Sequence, residues 1–368
     1  MRHGNTLKIF ADYLRDSYAA RVSTPVGFEE ERFRPLRRPI LLNCLDWVYG
    51  HALLKLLNAQ YYLDRPEEFD LVLLVPRFLR WMVPEGAATV WTVDLPLSRG
   101  AEWNDWIASE IRRRLEPLGE CHLSFAFSHP HPEDFRIERF TRVAPFPLGA
   151  WAERASCPTV TYIWREDRGW GPAPGRSLAA RAGRGLRRLA GLPPVVNRTL
   201  DQVVAMAEHL RALLPSLDFA VAGMGRGRAL PEWILDLRSA RADEAIERAW
   251  CERYARSHVV IGVHGSHMLL PTGHAGAMIQ MVPENAWDNR WGNLIQDVLV
   301  RGDDVREALF RYQFLPTDTM PEKVATIAAS LIRFQPTVSL HFGREFTDHV
   351  ALTRSWSRLP GEFAAVSG

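Results

Sequence analysis

The chain has 368 residues, enough for two domains of ordinary size, and its apolar (47%) and charged (24%) fractions are those of a globular protein. A formal net charge of +2 is too small to indicate nucleic-acid binding or attraction to a charged membrane surface. The four cysteines form no C-x-x-C pair, no apolar run has transmembrane length and the charged N-terminus does not resemble a signal peptide, so we expect a cytoplasmic protein without a zinc site.

Strands and helices alternate in the first half of the chain. Residues 1–38 predict a short amphipathic helix and a basic connector, and residues 39–150 predict a first Rossmann-like domain. The predicted strands are 40–45, 71–75, 89–93 and 122–127, and the predicted helices are 52–63 and 103–115. This alternation indicates a parallel sheet with right-handed βαβ crossovers.

A proline-rich stretch, residues 145–158, predicts the linker to a second domain over residues 158–335. Residues 169–194, rich in glycine, proline and arginine, are typical of a surface loop. The remaining predictions are strands at 159–164 and 219–222, helices at 200–214, 243–256 and 288–300, and a helix from 321. We expect the tail, residues 336–368, to pack back across the first domain.

The stretch from His258 to Pro283 is the centre of the second domain. Val259–Val263 is an apolar, β-branched run that suits a parallel strand buried on both faces. Gly265 allows a tight turn, and Ser266 is placed to cap a short helix that precedes a second strand at 277–282. Such a turn lies at the carboxyl end of a strand, where open α/β sheets bind ligands, and free amides at a helix start favour phosphate.

The segment Gly262-Val263-His264-Gly265-Ser266-His267 resembles the G-x-H-G-A-G-L-x-N signature of glycosyltransferase family 61. It departs from that signature at Ser266, which stands for alanine, at His267, which stands for the second glycine, and in lacking the asparagine. A strand ending at Arg165, the pair Asn197-Arg198 before a helix and a later acidic helix extend the resemblance over about residues 158–300.

The resemblance implies an α/β, GT-B-like fold. Two Rossmann-like domains would place their parallel sheets facing across a cleft, with a nucleotide-sugar held mainly by the C-terminal domain. The nucleotide-sugar would be a co-substrate, and no other cofactor is implied.

Glycosyl transfer requires positive charge where the diphosphate departs. Arginine side chains and backbone amides supply it in transferases that use no metal. Arg165, Arg168 and the turn formed by His264, Gly265, Ser266 and His267 are of the right types, each predicted at the end of a strand. The alternative is that Arg165 and Arg168 form surface ion pairs with Glu166 or Asp167.

Carboxylates of a metal-dependent transferase commonly occur as D-x-D, and the chain has no such motif. The adjacent pairs Asp303-Asp304 and Glu133-Asp134 are typical of solvated loop charge. We therefore expect a metal-independent enzyme.

A base must deprotonate the acceptor hydroxyl in an inverting transfer. Asp46 and His51 flank the first predicted βα turn and are the catalytic candidates. The alternative is that His51 caps the helix and Asp46 accepts hydrogen bonds within the turn. The run from His129 to Asp134 supplies rival bases, or only a rigid loop.

Glu284, Asn285 and Arg198 are the candidates for binding the sugar or the nucleotide. Trp287 and Trp291 could stack on sugar or base, although core packing is the simpler interpretation for Trp291. The run Gly223-Met224-Gly225-Arg226-Gly227 does not have the G-x-G-x-x-G spacing of a dehydrogenase.

The expected activity is transfer of a sugar from a nucleotide-sugar to a glycan or lipid-linked acceptor, with no nucleic-acid partner and with peripheral membrane contact left open. The alternatives are a nucleotide-sugar epimerase or hydrolase on the same fold and a non-catalytic nucleotide- or carbohydrate-binding protein.

Overall fold

The computed structural model describes residues 4–124, 136–171, 195–283, 298–299 and 310–356. Over these residues the chain is α/β, with two mostly parallel sheets flanked by helices. This agrees with the predicted class. None of the helices among these residues is both long and apolar enough to cross a membrane.

The N-terminal sheet has five strands in the order β1-β4-β3-β2-β5, and only β1 runs antiparallel to its neighbour. Its strands are β1 (Phe28–Arg32), β2 (Pro39–Asn43), β3 (Asp70–Pro76), β4 (Thr89–Val93) and β5 (His122–Leu123). The helices of this half are α1 (Gly4–Ala19), α2 (Tyr49–Leu57), α3 (Ala59–Leu63), α4 (Asp105–Leu115), α5 (Glu138–Thr141) and α6 (Trp151–Arg154).

The C-terminal sheet has six parallel strands in the order β11-β10-β9-β6-β7-β8. Its strands are β6 (Thr159–Arg165), β7 (Asp218–Met224), β8 (Leu235–Ser239), β9 (Val259–Val263), β10 (Ala277–Val282) and β11 (Tyr312–Pro316). Its helices are α7 (Val195–Leu213), α8 (Glu244–Arg256), α9 (Leu269–His274) and α10 (Pro321–Trp356).

Successive residues of β9 pack into two different cores, as expected for a strand covered on both faces. Ile261 lies in the core that α7 and α10 cover, whereas Val260 lies with Trp250 and Tyr254 of α8. Each of these side chains is buried. Burial on both faces explains why β9 is apolar throughout.

The strand order of each sheet reverses at one point. In the C-terminal sheet the chain runs from β6 outward to β7 and β8, and then returns to β9 on the other side of β6. The carboxyl ends of β6 and β9 therefore border a crevice at a topological switch point, where such sheets bind ligands. The same reversal occurs in the N-terminal sheet between β2 and β5.

The two halves pack directly against each other. Gly50, in the first turn of α2, lies against Ser266, so closely that a Cβ on Gly50 would come 2.3 Å from the Ser266 Cβ. The Trp81 indole donates to Glu247 Oε2 at 2.8 Å, and Thr141 Oγ1 is hydrogen-bonded to His274 Nε2 at 2.9 Å. The ends of β2 and of β9 thus meet at one interface.

Several predicted elements differ from the observed ones. The connector predicted up to residue 38 contains β1. Within the proline-rich stretch, the indole of the buried Trp151 donates to the Ile332 carbonyl at 3.0 Å. Helix α7 begins at Val195 rather than at residue 200, so the pair Asn197-Arg198 lies inside it and not before it, and the Thr199 hydroxyl accepts from the Trp170 amide at 3.1 Å.

Strands β8 and β11 were not predicted. The predicted strand 122–127 is described only as far as residue 124, and most of the predicted helix 288–300 and of the loop 169–194 lies outside the described residues. The side chains beyond residue 338 also lie outside them, so the packing of the tail onto the first domain stays a prediction.

Candidate functional site

The crevice between β6 and β9 brings the predicted phosphate-binding residues together. Gly265 follows β9 with φ 148° and ψ 165°, a conformation that is essentially restricted to glycine. A Cβ at this position would lie 3.0 Å from His267 Nδ1 and 3.5 Å from Arg168 Cζ. Gly265 thus allows the Arg168 guanidinium and the His267 ring to approach the same point of the backbone.

The segment after Gly265 is shorter than predicted. Ser266–Met268 forms one 3₁₀ turn, and α9 follows with only six residues. Ser266 makes no side-chain capping hydrogen bond, because Gly265 occupies the cap position of the 3₁₀ turn. The prediction that Ser266 caps the helix is therefore wrong, and positive charge at this turn comes mainly from arginine.

Arg165 and Arg168 have different environments. Arg165 makes a bidentate ion pair with Asp167, with both N–O distances at 2.8 Å, which is one of the ion pairs that the sequence left open. Arg168 is exposed, and its guanidinium has no hydrogen-bond or ion-pair partner among the described residues. Arg168 is therefore the arginine available to an incoming anion.

The two histidines of the turn are held neutral. Burial and, next, the charges of Arg165 and Arg168 lower the pKa of His267 to about 3. Burial and Arg168 also lower the pKa of His264, whose Nδ1 is hydrogen-bonded to the Gln280 side-chain amide. The arginines thus maintain a positive potential at the turn, which suits an anion.

Asp46 and His51 lie on the facing half, beside Gly50. Asp46 accepts from the Val48 amide at 2.9 Å and from Lys55 Nζ at 2.8 Å, and His51 Nδ1 lies 3.4 Å from it. Burial alone would raise the pKa of Asp46, but the hydrogen bonds from His51 and Lys55 lower it to about 2. Asp46 therefore fits the structural alternative, as an acceptor within the turn, better than it fits a catalytic base.

Of the remaining predicted residues, the structure describes only Arg198. Arg198 is exposed near the start of α7. Outside the described residues lie Glu284, Asn285, Trp287, Trp291, the run from His129 to Asp134 and the pair Asp303-Asp304.

A cavity of about 440 Å³ extends from the turn into the interface between the halves. Its volume is within the usual range for small-molecule sites. Its rim includes Arg165, Ser266 and His267, and its walls are rich in aromatic side chains. The full lining is Tyr49, Phe78, Leu97, Ile163, Trp164, Arg165, Gly223, Met224, Ala242, Glu247, Trp250, Tyr254, Ser266, His267, Leu270 and Pro271.

Glu247 is the one carboxylate among the described residues of this lining, and the sequence analysis missed it. Burial raises its pKa to about 7, which the hydrogen bond from Trp81 opposes and Asp243 reinforces. The available signal was its place on α8, where it shares a helical face with the buried Trp250, Cys251 and Tyr254. A carboxylate on an apolar helical face indicates an ionisable group that is partly removed from water.

Among the described residues no three His, Cys, Asp or Glu side chains are grouped so that they could hold a metal ion. A scan against protein-family models gives no match to the chain. A search of curated proteins gives no match either, so the interpretation of this site depends on its geometry and chemistry.

Proposed function

We propose that the protein is a GT-B glycosyltransferase that moves a sugar from a nucleotide-sugar to a glycan or lipid-linked acceptor. The observation that carries the proposal is the cluster of Arg168, His267 and Gly265 at the switch point between β6 and β9. His267 of this cluster also lines a cavity whose walls come from both halves of the chain. A donor phosphate and an acceptor could therefore occupy adjacent parts of one site.

The chemistry of the turn suits a departing diphosphate. Negative charge develops on the leaving oxygen, and preorganised cations and amides stabilise it more strongly in a partly buried site than in water. Arg168 would supply the charge and the backbone at Gly265 the close approach. Since the arginines can carry this charge, and the chain has no D-x-D motif, we propose metal independence.

The proposal is tested by thermal unfolding of the wild type with UDP, GDP, CDP, ADP and dTDP, each with Mg²⁺ and with a chelator. A bound nucleotide raises the midpoint by mass action. We expect a base-selective rise that persists with chelator. It should be lost in Arg168→Ala, reduced less in Arg165→Ala and retained in Arg112→Ala, a control on α4 outside the site. No rise with any nucleotide would overturn the proposal.

Binding without turnover is the second candidate. The low pKa of Asp46 favours it, because it removes one of the two predicted catalytic residues from the reaction. A nucleotide-dependent rise without release of sugar, epimer or glycoside from any nucleotide-sugar would select it. Release of free sugar or of epimer without an acceptor would instead indicate a hydrolase or an epimerase.

A further inference from the structure

Glu247 lies between two cavities of opposite character. One is the aromatic interdomain cavity of about 440 Å³, and the other is a charged cleft of about 710 Å³. Phe78, Ala242 and Glu247 line both. The cleft is lined by Glu29, Glu31, Arg77, Phe78, Arg80, Trp81, Arg142, Ala242, Asp243, Glu244, Glu247 and Arg248. A proton on Glu247 thus has a polar route away from the aromatic cavity.

The carboxylate is fixed in place, and the described residues supply no cation to pair with it. Trp81 Nε1 donates to Oε2 at 2.8 Å, which leaves Oε1 for a ligand. The arginines of the cleft have other partners. Arg77 binds Glu29, Arg80 binds Glu31, Arg248 binds Glu244, and Arg142 binds the carbonyls of Trp81, Val83 and Phe140.

The other titratable groups near Glu247 do not compete with it for a proton near neutral pH. Tyr49 on α2 and Cys251 and Tyr254 on α8 all have pKa values raised by burial, so they stay protonated. Asp243, the N-cap residue of α8, raises the pKa of Glu247 further by its charge. A group with a pKa near 7 is well matched to general-base catalysis at neutral pH.

We propose that Glu247 accepts the proton of the attacking hydroxyl in the interdomain cavity and passes it to the charged cleft. This inference rests on the proposed function and names the base of that site. Glu247 replaces Asp46 as the candidate base. Glu247 is also preferred to His51, because Glu247 lines the cavity next to the Ser266–His267 turn and His51 does not.

The acceptor O–H bond breaks, its proton moves to Glu247, and the oxygen electron pair forms a bond to the anomeric carbon of the donor. The bond from that carbon to the diphosphate oxygen breaks, and its electron pair leaves on the diphosphate beside Arg168. Glu247 then releases the proton to water in the cleft, and no oxidant or reductant is needed.

Water can replace the unknown acceptor in the test. The experiment measures release of nucleoside diphosphate from UDP-glucose, GDP-mannose, CDP-glucose, ADP-glucose and dTDP-glucose between pH 5.5 and 9. We expect the wild-type rate to rise with pH through about 7, as Glu247 loses its proton. Glu247→Gln should lower the rate by about 10²-fold or more and abolish this rise, with unchanged nucleoside diphosphate affinity. Glu252→Gln, at an exposed position of α8, is the matched control.

Trp81→Phe gives a second readout that a purely structural role would not produce. The Trp81 hydrogen bond lowers the pKa of Glu247, so its removal should move the rise in rate to higher pH. This variant keeps the carboxylate and tests the inference even where Glu247→Gln does not fold.

The outcomes separate the two proposals. A wild type that binds no nucleoside diphosphate overturns the proposed function, and the proton step with it. A wild type that binds and hydrolyses a donor, with the same rate and pH profile in Glu247→Gln, overturns only the role of Glu247. Binding without release by the wild type also overturns the proton step, and it supports binding without turnover.

Discussion

Replacement of Gly50 by alanine tests whether the two halves meet as the structure shows. Gly50 is buried in the first turn of α2, and its φ is not positive, so alanine alone would favour the helix by up to about 1 kcal/mol. The new Cβ would lie 2.3 Å from the Ser266 Cβ and 3.3 Å from Leu269 Cδ1, whereas ordinary contact begins at 3.4 Å. Either α2 or the Ser266 turn must therefore move by about 1 Å, and such overpacking costs about 1–3 kcal/mol.

We expect Gly50→Ala to lower the free energy of unfolding by about 1–2 kcal/mol, since the packing cost outweighs the helical gain. The assay is urea denaturation followed by circular dichroism and by tryptophan fluorescence, in a double-mutant cycle with Ser266→Gly. Removal of the Ser266 Cβ should recover most of the loss, with a coupling energy of about 1 kcal/mol. Gly149→Ala, where a Cβ would have nothing within 4 Å, is the control.

The opposite result would be a Gly50→Ala variant that is as stable as the wild type and shows no coupling to Ser266→Gly. That result would mean that α2 and the Ser266 turn are not in contact in solution.

Three further predictions concern the turn and the core. Gly265→Ala should weaken nucleoside diphosphate binding at least tenfold in calorimetric titration. Alanine at φ 148° is strained, and its Cβ would lie against the His267 ring. Undiminished affinity would show that this turn is not part of the site. Burial lowers the pKa of His258 to about 4, against about 6.5 in the unfolded chain, so the contribution of His258 to stability is fully present above pH 6.5. The free energy of unfolding should fall by up to a few kcal/mol as the pH is lowered from about 6.5 towards 4. A His258 variant without the imidazole that loses stability with falling pH as steeply as the wild type would contradict this. Arg253 is 3% exposed and makes a bidentate pair with the half-exposed Asp218, so Arg253→Ala should cost about 2–3 kcal/mol in urea unfolding. The exposed Arg256→Ala should change stability by less than about 0.5 kcal/mol, and equal losses would contradict the pairing.

The central strands of the second sheet could be predicted from the sequence because burial on both faces requires an apolar run. Strand β9 and strand β10 are buried along their whole length, and their predicted limits agree with the observed ones. The edge strands could not be predicted in this way. Strand β1 is mostly polar because its glutamates bind Arg77 and Arg80, and β8 carries Asp236 and Arg238 as an ion pair.

The types of the residues at the crevice between β6 and β9 could be predicted from the sequence, but their side-chain partners could not. The sequence allowed both Arg165 and Arg168 either an ion pair or a ligand, and only side-chain geometry shows that Arg165 is engaged by Asp167. The environment of Glu247 depends on Trp81, 166 residues earlier in the chain. Contacts of this separation arise from the packing of the halves, which no local pattern reports.

A diphosphate site at the turn after β9 is tested by the affinity difference between a nucleoside diphosphate and the matching monophosphate, measured by calorimetric titration at fixed salt. We expect the wild type to bind the diphosphate at least tenfold more tightly and Arg168→Ala to lose this preference, while Arg112→Ala keeps it. Equal affinities in the wild type, or a preference that survives Arg168→Ala, would contradict a diphosphate site at the turn between β6 and β9.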